Sequence, residues 1–229
     1  MTALAFSAPP ATSLPIAGRD ERFPVHRIYC VGRNFAEHAK EMGAEVSRGR
    51  PVFFMKPADA AVEIGDIPYP GATADLHHEV ELVVALGRDA DGEVPVDTAL
   101  ALVFGYAVGL DLTRRDLQAE AKEKRLPWDI AKGFDHSAPM GAIVPADGGV
   151  PAGRLWLEVN GATRQAAPLG DMVFSVPEVL HELSKLFALR AGDLVFMGTP
   201  SGVAALQPGD RFRAGIDGLV EFSGDILPA

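Results

Sequence analysis

Short apolar runs, cut at nearly every connection by Gly and Pro, set the rhythm of this chain. Residues Arg27 to Val31 alternate and are rich in β-formers, and Pro51 to Met55 follow the same habit. His78 to Leu86 places Val80, Leu82 and Val84 on one side and Glu79 and Glu81 on the other, the period-two pattern of a half-buried strand. Ala99 to Leu110 ends in an apolar run, and further strands are predicted around Asp193 to Met197 and Asp210 to Ala214. Arg154 to Val159 followed by Asn160-Gly161 predicts a hairpin, because Asn-Gly supplies the two positive φ angles of a type I′ turn.

Helical signals are fewer. Asn34 can cap a helix running through about Met42, stopped by Gly43. Thr113 can cap a charged helix to about Lys124 that Pro127 ends, and Ser175 with Glu178 forms a capping box for a helix reaching about Leu189. Short strands dominate without βαβ alternation, so an α+β, β-rich domain is expected rather than a doubly wound fold. No internal repeat or low-complexity segment interrupts the pattern.

With 229 residues, 48% of them hydrophobic and 23% charged, the chain can bury one full core. The division expected is an N-terminal Pro-rich arm over residues 1–25 and a single domain over 26–229. The formal charge of −10, from 21 basic against 31 acidic residues, comes without any cluster of Lys and Arg interleaved with aromatics, which argues against nucleic acid as a partner. An acidic chain that binds an anion needs a local cation, either a metal or a few placed Arg and Lys side chains. Cys30 is the single cysteine, so no intramolecular disulfide forms and a reducing compartment is expected. The first residues lack the basic and continuous apolar regions of a secretory signal, and the apolar run Ala99 to Leu110 is well short of the roughly 20 residues of a membrane helix. A soluble cytoplasmic protein with no membrane partner is the expectation.

Familiar chemistry is missing: there is no GxGxxG, no GK[ST] phosphate loop and no GxSxG elbow, and Lys185 stands where a zincin helix begun at His181-Glu182 would need its second His. Glu79 and Glu81, sharing one side of a strand, present two carboxylates that a hard divalent cation would neutralise; oxygen donors without cysteine favour Mg2+ or Mn2+ over Zn2+. A solvated strand face reads equally from the same pattern. Asp111 closes a buried run and suits either a site or a helix cap. Asp111, Arg115 and Gln118 share a face if a helix starts there, and they serve either an anionic substrate or an ordinary surface pair. His38 and Glu41, spaced i and i+3, can form a water-activating dyad, although such pairs are often incidental. Lys132, flanked by apolar residues and Gly133, suits a buried amine beside an anion or a loop lysine. Gly198-Thr199-Pro200-Ser201-Gly202 offers backbone amides and a hydroxyl, or simply a tight turn.

Taken in order, six segments resemble the fumarylacetoacetate hydrolase family, in particular its small single-domain members. They are Tyr29-Cys-Val-Gly-Arg-Asn-Phe-Ala-Glu-His38, Phe54-Met-Lys-Pro57, Leu76-His-His-Glu-Val-Glu-Leu82, Gly109-Leu-Asp-Leu-Thr-Arg-Arg-Asp-Leu-Gln118, Leu126-Pro-Trp-Asp-Ile-Ala-Lys132 and Gly198-Thr-Pro-Ser-Gly-Val203. The resemblance implies a mixed β-roll or sandwich with few short helices, and Mg2+ or Mn2+ on Glu79, Glu81 and Asp111. It implies His38 with Glu41 on a lid helix as the pair that activates water. Arg115, Gln118, Lys132, Thr199 and Gly198 then face the substrate, a small diketo acid, and Lys132 stabilises an oxyanion. Phe35 departs from a frequent Tyr and removes one hydroxyl contact. The implied reaction is hydrolysis of a carbon–carbon bond in an acylpyruvate, with fumarylpyruvate of aromatic-acid (gentisate) degradation foremost. Maleylpyruvate or simple acylpyruvate hydrolysis, oxaloacetate decarboxylation and unsaturated keto-acid isomerisation are the alternatives, with a metal-stabilised ligand-binding protein as the non-enzymatic one. A homodimer is implied by the family alone.

Overall fold

The computed structural model describes residues 4–41 and 49–228. Its main feature is an eight-stranded mixed sheet in the order Val52–Lys56, Arg27–Gly32, Asp193–Phe196, Val80–Leu86, Val103–Leu110, Ala138–Met140 and Ala61–Glu63, with Val144–Pro145 paired beside Val103–Leu110. Asp193–Phe196 runs parallel to Arg27–Gly32 and antiparallel to Val80–Leu86, so the strand carrying Glu81 sits in the middle of the sheet. A five-stranded sheet follows the order Ala162–Pro168, Arg154–Val159, Arg211–Ile216, Val220–Leu227 and Ile67–Pro68. With four short α-helices among the described residues, α1 (Ala36–Glu41), α2 (Arg115–Lys124), α3 (Asp129–Lys132) and α4 (Val176–Ser184), this is the β-rich α+β architecture expected, a curled mixed sheet.

Apolar burial explains the stacking of the two sheets. Leu82, Val84 and Val108 of the first meet Leu155, Leu157, Phe212, Ala214 and Ile216 of the second, and the apolar face of α4 (Val176, Val179, Leu180, Leu183) seals the same cluster. Across the large sheet, Val83, Ala85, Ala107, Phe196 and Cys30 form a second cluster with Leu14, Ile16 and Phe23. Each such side chain contributes on the order of 1.5–3 kcal/mol when fully buried. Within the segment read as an arm, Ser13–Pro15 pairs with Arg22–Pro24, which places Leu14 and Phe23, and Ile16 bridges to Ile143.

Several local expectations change. All seven residues of Val80–Leu86 are buried, so this strand has no solvated face, and Leu76–His77 is a separate short strand paired with Thr113–Arg114. Asn34 does not cap α1: its amide donates to the carbonyls of Phe174 (3.0 Å) and Met197 (2.8 Å) and accepts from the Phe174 N–H (2.7 Å). Thr113 does not cap α2 either; its hydroxyl turns back to the Asp111 carbonyl at 3.1 Å, and the helix begins at Arg115. Ala99–Leu102 is a single 3-10 turn before the strand, α4 stops at Ser184 rather than Leu189, and α3 and Val220–Leu227 add to the predicted elements. Met42 and Gly43, where the first helix was expected to stop, lie outside the described residues. The hairpin at Asn160 (φ 53°) and Gly161 (φ 77°) forms as expected, and so does the Ser175–Glu178 box, whose carboxylate accepts from the Ser175 N–H at 2.8 Å.

Candidate metal centre and surrounding pocket

Strand register assembles the acidic group. Val80–Leu86 pairs antiparallel with Val103–Leu110, setting Val80 opposite Leu110 and Glu81 opposite Gly109. The residues just beyond the ladder, Glu79 and Asp111, are therefore neighbours, and the Asp111 N–H donates to the Glu79 carbonyl at 2.8 Å. Carboxylate oxygens of Glu79, Glu81 and Asp111 lie within 4.8 Å of one another, and all three residues are buried.

Cations surround them. Lys132, at the end of α3, is 2% exposed and bridges Glu79 Oε2 (2.8 Å) and Asp111 Oδ2 (2.7 Å) with its Nζ. Burial alone would lower the Lys132 pKa, but the Asp111 and Glu79 carboxylates outweigh it and hold the ammonium above its ordinary range. Arg115 pairs with Glu79, donates to Gln118 Oε1 at 2.6 Å and approaches His77 Nδ1 at 3.3 Å. Burial would raise Glu79, yet Lys132, Arg115 and His38 pull it below the usual carboxylate range. The opposite holds for Glu81: burial, then the like charges of Asp111 and Glu79, push its pKa well above ordinary. Its Oε2 accepts a backbone bond from Gly198 at 2.6 Å. Gly198 sits at φ +90°, and a Cβ there would lie 2.8 Å from Asn34 Cβ, so the turn that delivers this N–H requires glycine.

Three crowded buried carboxylates, one of them resisting ionisation, offer the kind of donor set that a hard divalent cation takes. Asp111 Oδ1 agrees with this: it lies 2.8 Å from Lys56 Nζ but off the hydrogen-bonding direction, and it is a buried oxygen with no hydrogen bond. The residues present therefore fit Mg2+ or Mn2+.

Around the triad the structure brings together five of the remaining expected residues, while Glu41 and Gly198 do not line the pocket. His38, Arg115, Gln118, Lys132 and Thr199 line one pocket with Glu79, Glu81 and Asp111. His38 Nδ1 lies 3.2 Å from Glu41 Oε2, and Glu41 also accepts from the Gly202 N–H at 3.2 Å, which ties α1 to the loop after Asp193–Phe196. The Thr199 hydroxyl donates to the Val80 carbonyl at 2.8 Å. Asp111 is not on the helix of Arg115 and Gln118, so the i, i+4 pair with Arg115 does not form; Arg115 turns to Glu79 instead.

Sequence reasoning overlooked Lys56 and Gln165. Lys56 is 2% exposed, contacts Asp111 and donates to the Leu112 and Lys132 carbonyls; a lysine closing an apolar strand just before Pro57 was the available signal. Gln165, in a strand of polar and small residues, carried no signal at all. It donates to Thr199 Oγ1 (2.7 Å) and the Pro200 carbonyl (2.8 Å), accepts from Val80 N (3.1 Å), and pairs with His78 Nδ1 (2.8 Å).

The family model described as fumarylacetoacetate (FAA) hydrolase C-terminal matches residues 27–226. The chain belongs to the fumarylacetoacetate hydrolase family. A crystal structure of fumarylpyruvate hydrolase from Pseudomonas aeruginosa in complex with Mn2+ and pyruvate superimposes with a TM-score of 0.96 at 45% identity, covering 99% of this chain and 100% of that one. A putative fumarylpyruvate hydrolase from Burkholderia cenocepacia gives a TM-score of 0.92 at 49% identity, with full coverage of both chains. The mitochondrial oxaloacetate tautomerase of Rattus norvegicus is 47% identical over 197 residues, 84% of this chain and 88% of that protein. Among the described residues no helix is long and apolar enough to cross a membrane, and the mitochondrial rat relative does not support the cytoplasmic expectation.

Proposed function

We propose that this member of the fumarylacetoacetate hydrolase family is a divalent-metal-dependent enzyme that hydrolyses a carbon–carbon bond in an acylpyruvate, with fumarylpyruvate, an intermediate of aromatic-acid degradation, as first substrate. One observation carries the reading: His38, held by Glu41, lines the same pocket as the acidic triad, so a metal and a base would face one bound molecule. The Pseudomonas neighbour, solved with Mn2+ and pyruvate, supports it.

Glu79, Glu81 and Asp111 would hold Mg2+ or Mn2+, which when bound supplies a Lewis acid for the keto and carboxylate oxygens of the pyruvyl half. Glu41 accepts from the Nδ1–H of His38, which selects the tautomer whose Nε2 can take a proton from water. The water oxygen attacks the distal carbonyl, the bond to the pyruvyl methylene breaks, and pyruvate leaves as its enolate to be protonated. Lys132 stays charged, and two of its three N–H groups are engaged by Glu79 and Asp111, so the third is a donor for the developing oxyanion. Arg115, Gln118, Thr199 and the Gly198 turn position the acid's oxygens, and the enzyme works as a homodimer.

The test is a panel of fumaryl-, maleyl- and acetylpyruvate assayed for pyruvate release with Mg2+ or Mn2+. Turnover lost with EDTA and restored by the metal is expected; no turnover of any diketo acid refutes the reading. The rat relative supports a second one, oxaloacetate tautomerisation, which moves protons and needs no attacking water. Keto–enol exchange of oxaloacetate exceeding acylpyruvate cleavage would favour it.

A further inference from the structure

Not every cation around this pocket is matched by an acid. Lys56, Lys132 and Arg115 each contact a carboxylate of the triad. Arg33 and Lys122 line the same pocket, and among the described residues neither has a carboxylate partner. Arg33 is exposed, and its backbone is held at φ 63°, in the left-handed region that a non-glycine residue rarely adopts. Lys122 projects from α2, with its ammonium 5.5 Å from the centre of the Trp128 ring. Its pKa is lowered, by burial first and then by the like charge of Arg115, with the Glu79 carboxylate opposing and Arg33 and Lys132 adding to the effect; these groups thus share one field. Two aromatic rings line the same pocket with centroids 5.9 Å apart, Trp128 beside Lys122 and Phe54 with its centre 5.1 Å from the Lys132 ammonium.

We infer that Arg33 and Lys122 form a subsite for a second carboxylate at the end of the substrate remote from the metal, with Phe54 and Trp128 as the apolar wall along the intervening carbon chain. The inference rests on the proposed function and narrows it: the preferred acyl group ends in an anion and the stretch before it is flat and apolar, as in a conjugated unsaturated diacid. A substrate with a neutral acyl end leaves both cations unpaired.

The Mn2+-loaded protein is titrated calorimetrically with 2-oxoheptanedioate and 2-oxoheptanoate, which share the pyruvyl-like end, match in length and lack the second ketone needed for cleavage. The diacid is expected to bind more tightly, by about tenfold, the range for two partly exposed ion pairs, with the preference shrinking as salt is raised. In the double variant Arg33→Asn, Lys122→Gln, in which Asn keeps the left-handed backbone accessible, the diacid-to-monoacid ratio falls to near one, and Lys122→Arg retains most of it. Equal affinities in the wild-type protein, or a preference that survives the double variant, overturn the subsite. Because the ligands do not react, a preference found without any turnover of fumarylpyruvate would sink the hydrolase reading and leave the subsite standing.

Discussion

His78 Nδ1 lies 2.8 Å from Gln165 Oε1, while the amide nitrogen of the same Gln165 holds Thr199 Oγ1 at 2.7 Å, so one side chain from the smaller sheet locks both the start of the Glu81 strand and the turn behind Gly198. His78 is 1% exposed, its Nε2 has no hydrogen bond, and burial lowers its pKa to about 4. The unfolded chain therefore takes up this proton first, and stability is fully present above the ordinary histidine range near 6.5. It is lost as pH falls from there towards 4, by up to about 1.4 kcal/mol per pH unit. Urea unfolding of the metal-free protein across that window should show a shallower pH slope for His78→Asn than for the parent; identical slopes would refute the neutral assignment.

Gln165→Leu leaves the buried Val80 N–H, the Thr199 hydroxyl and the Pro200 carbonyl each short of a partner. A loss of about 3 kcal/mol or more is expected, since each buried polar group left unmade costs roughly 1–3 kcal/mol. Denaturant midpoints measure it, and a change within experimental error would show that the network is not rigidly held.

Glu81→Gln separates folding from metal binding. Burial and two like charges oppose ionisation of Glu81, so the amide should leave the metal-free protein at least as stable as the parent. In the parent, Mn2+ at a hundredfold excess over its Kd adds about 2.7 kcal/mol of stability. That gain should vanish in the variant, and a full Mn2+-dependent rise in Tm would remove Glu81 from the ligand set.

Lys132→Met strands Glu79 and Asp111 as buried carboxylates lacking their shared ammonium. A loss of roughly 3–5 kcal/mol without metal is expected, as for breaking one side of a buried ion pair. Mg2+ or Mn2+ should recover part of it by replacing the missing charge. Thermal unfolding with and without EDTA decides, and equal destabilisation under both conditions would contradict the electrostatic account.

His38→Ala should lower acylpyruvate hydrolysis by about 10²–10⁴-fold, the usual contribution of a general base, while oxaloacetate decarboxylation and Mn2+ affinity persist. Steady-state rates on both substrates, with Mn2+ binding by titration, make the comparison; full hydrolytic activity would remove the dyad from the reaction.

Much of this molecule is legible in its amino-acid sequence. The Asn160-Gly161 hairpin and the Ser175–Glu178 box are local, because their hydrogen bonds close within a few residues and depend on backbone angles those residues prefer. The spacing of Glu79 and Glu81 names two acids, and the order of six segments names the family. The helix caps expected at Asn34 and Thr113 do not form because distant carbonyls at Phe174 and Met197, and the Asp111 carbonyl in the second case, compete for the same side chains.

What only tertiary structure decided is which charge meets which. Val80–Leu86 reads as half solvated, yet it lies between two apolar clusters, so Glu81 faces a dry interior where neighbouring acids raise its pKa. Asp111 joins Glu79 through strand register, and Lys56, Lys132 and Gln165 arrive from elements 21 to 87 residues away in sequence from the groups they hold. Sequence determines side-chain type and local backbone preference; the pairing of buried charges follows from the packing of two sheets, because in a low-dielectric interior each charge must find its partner in space.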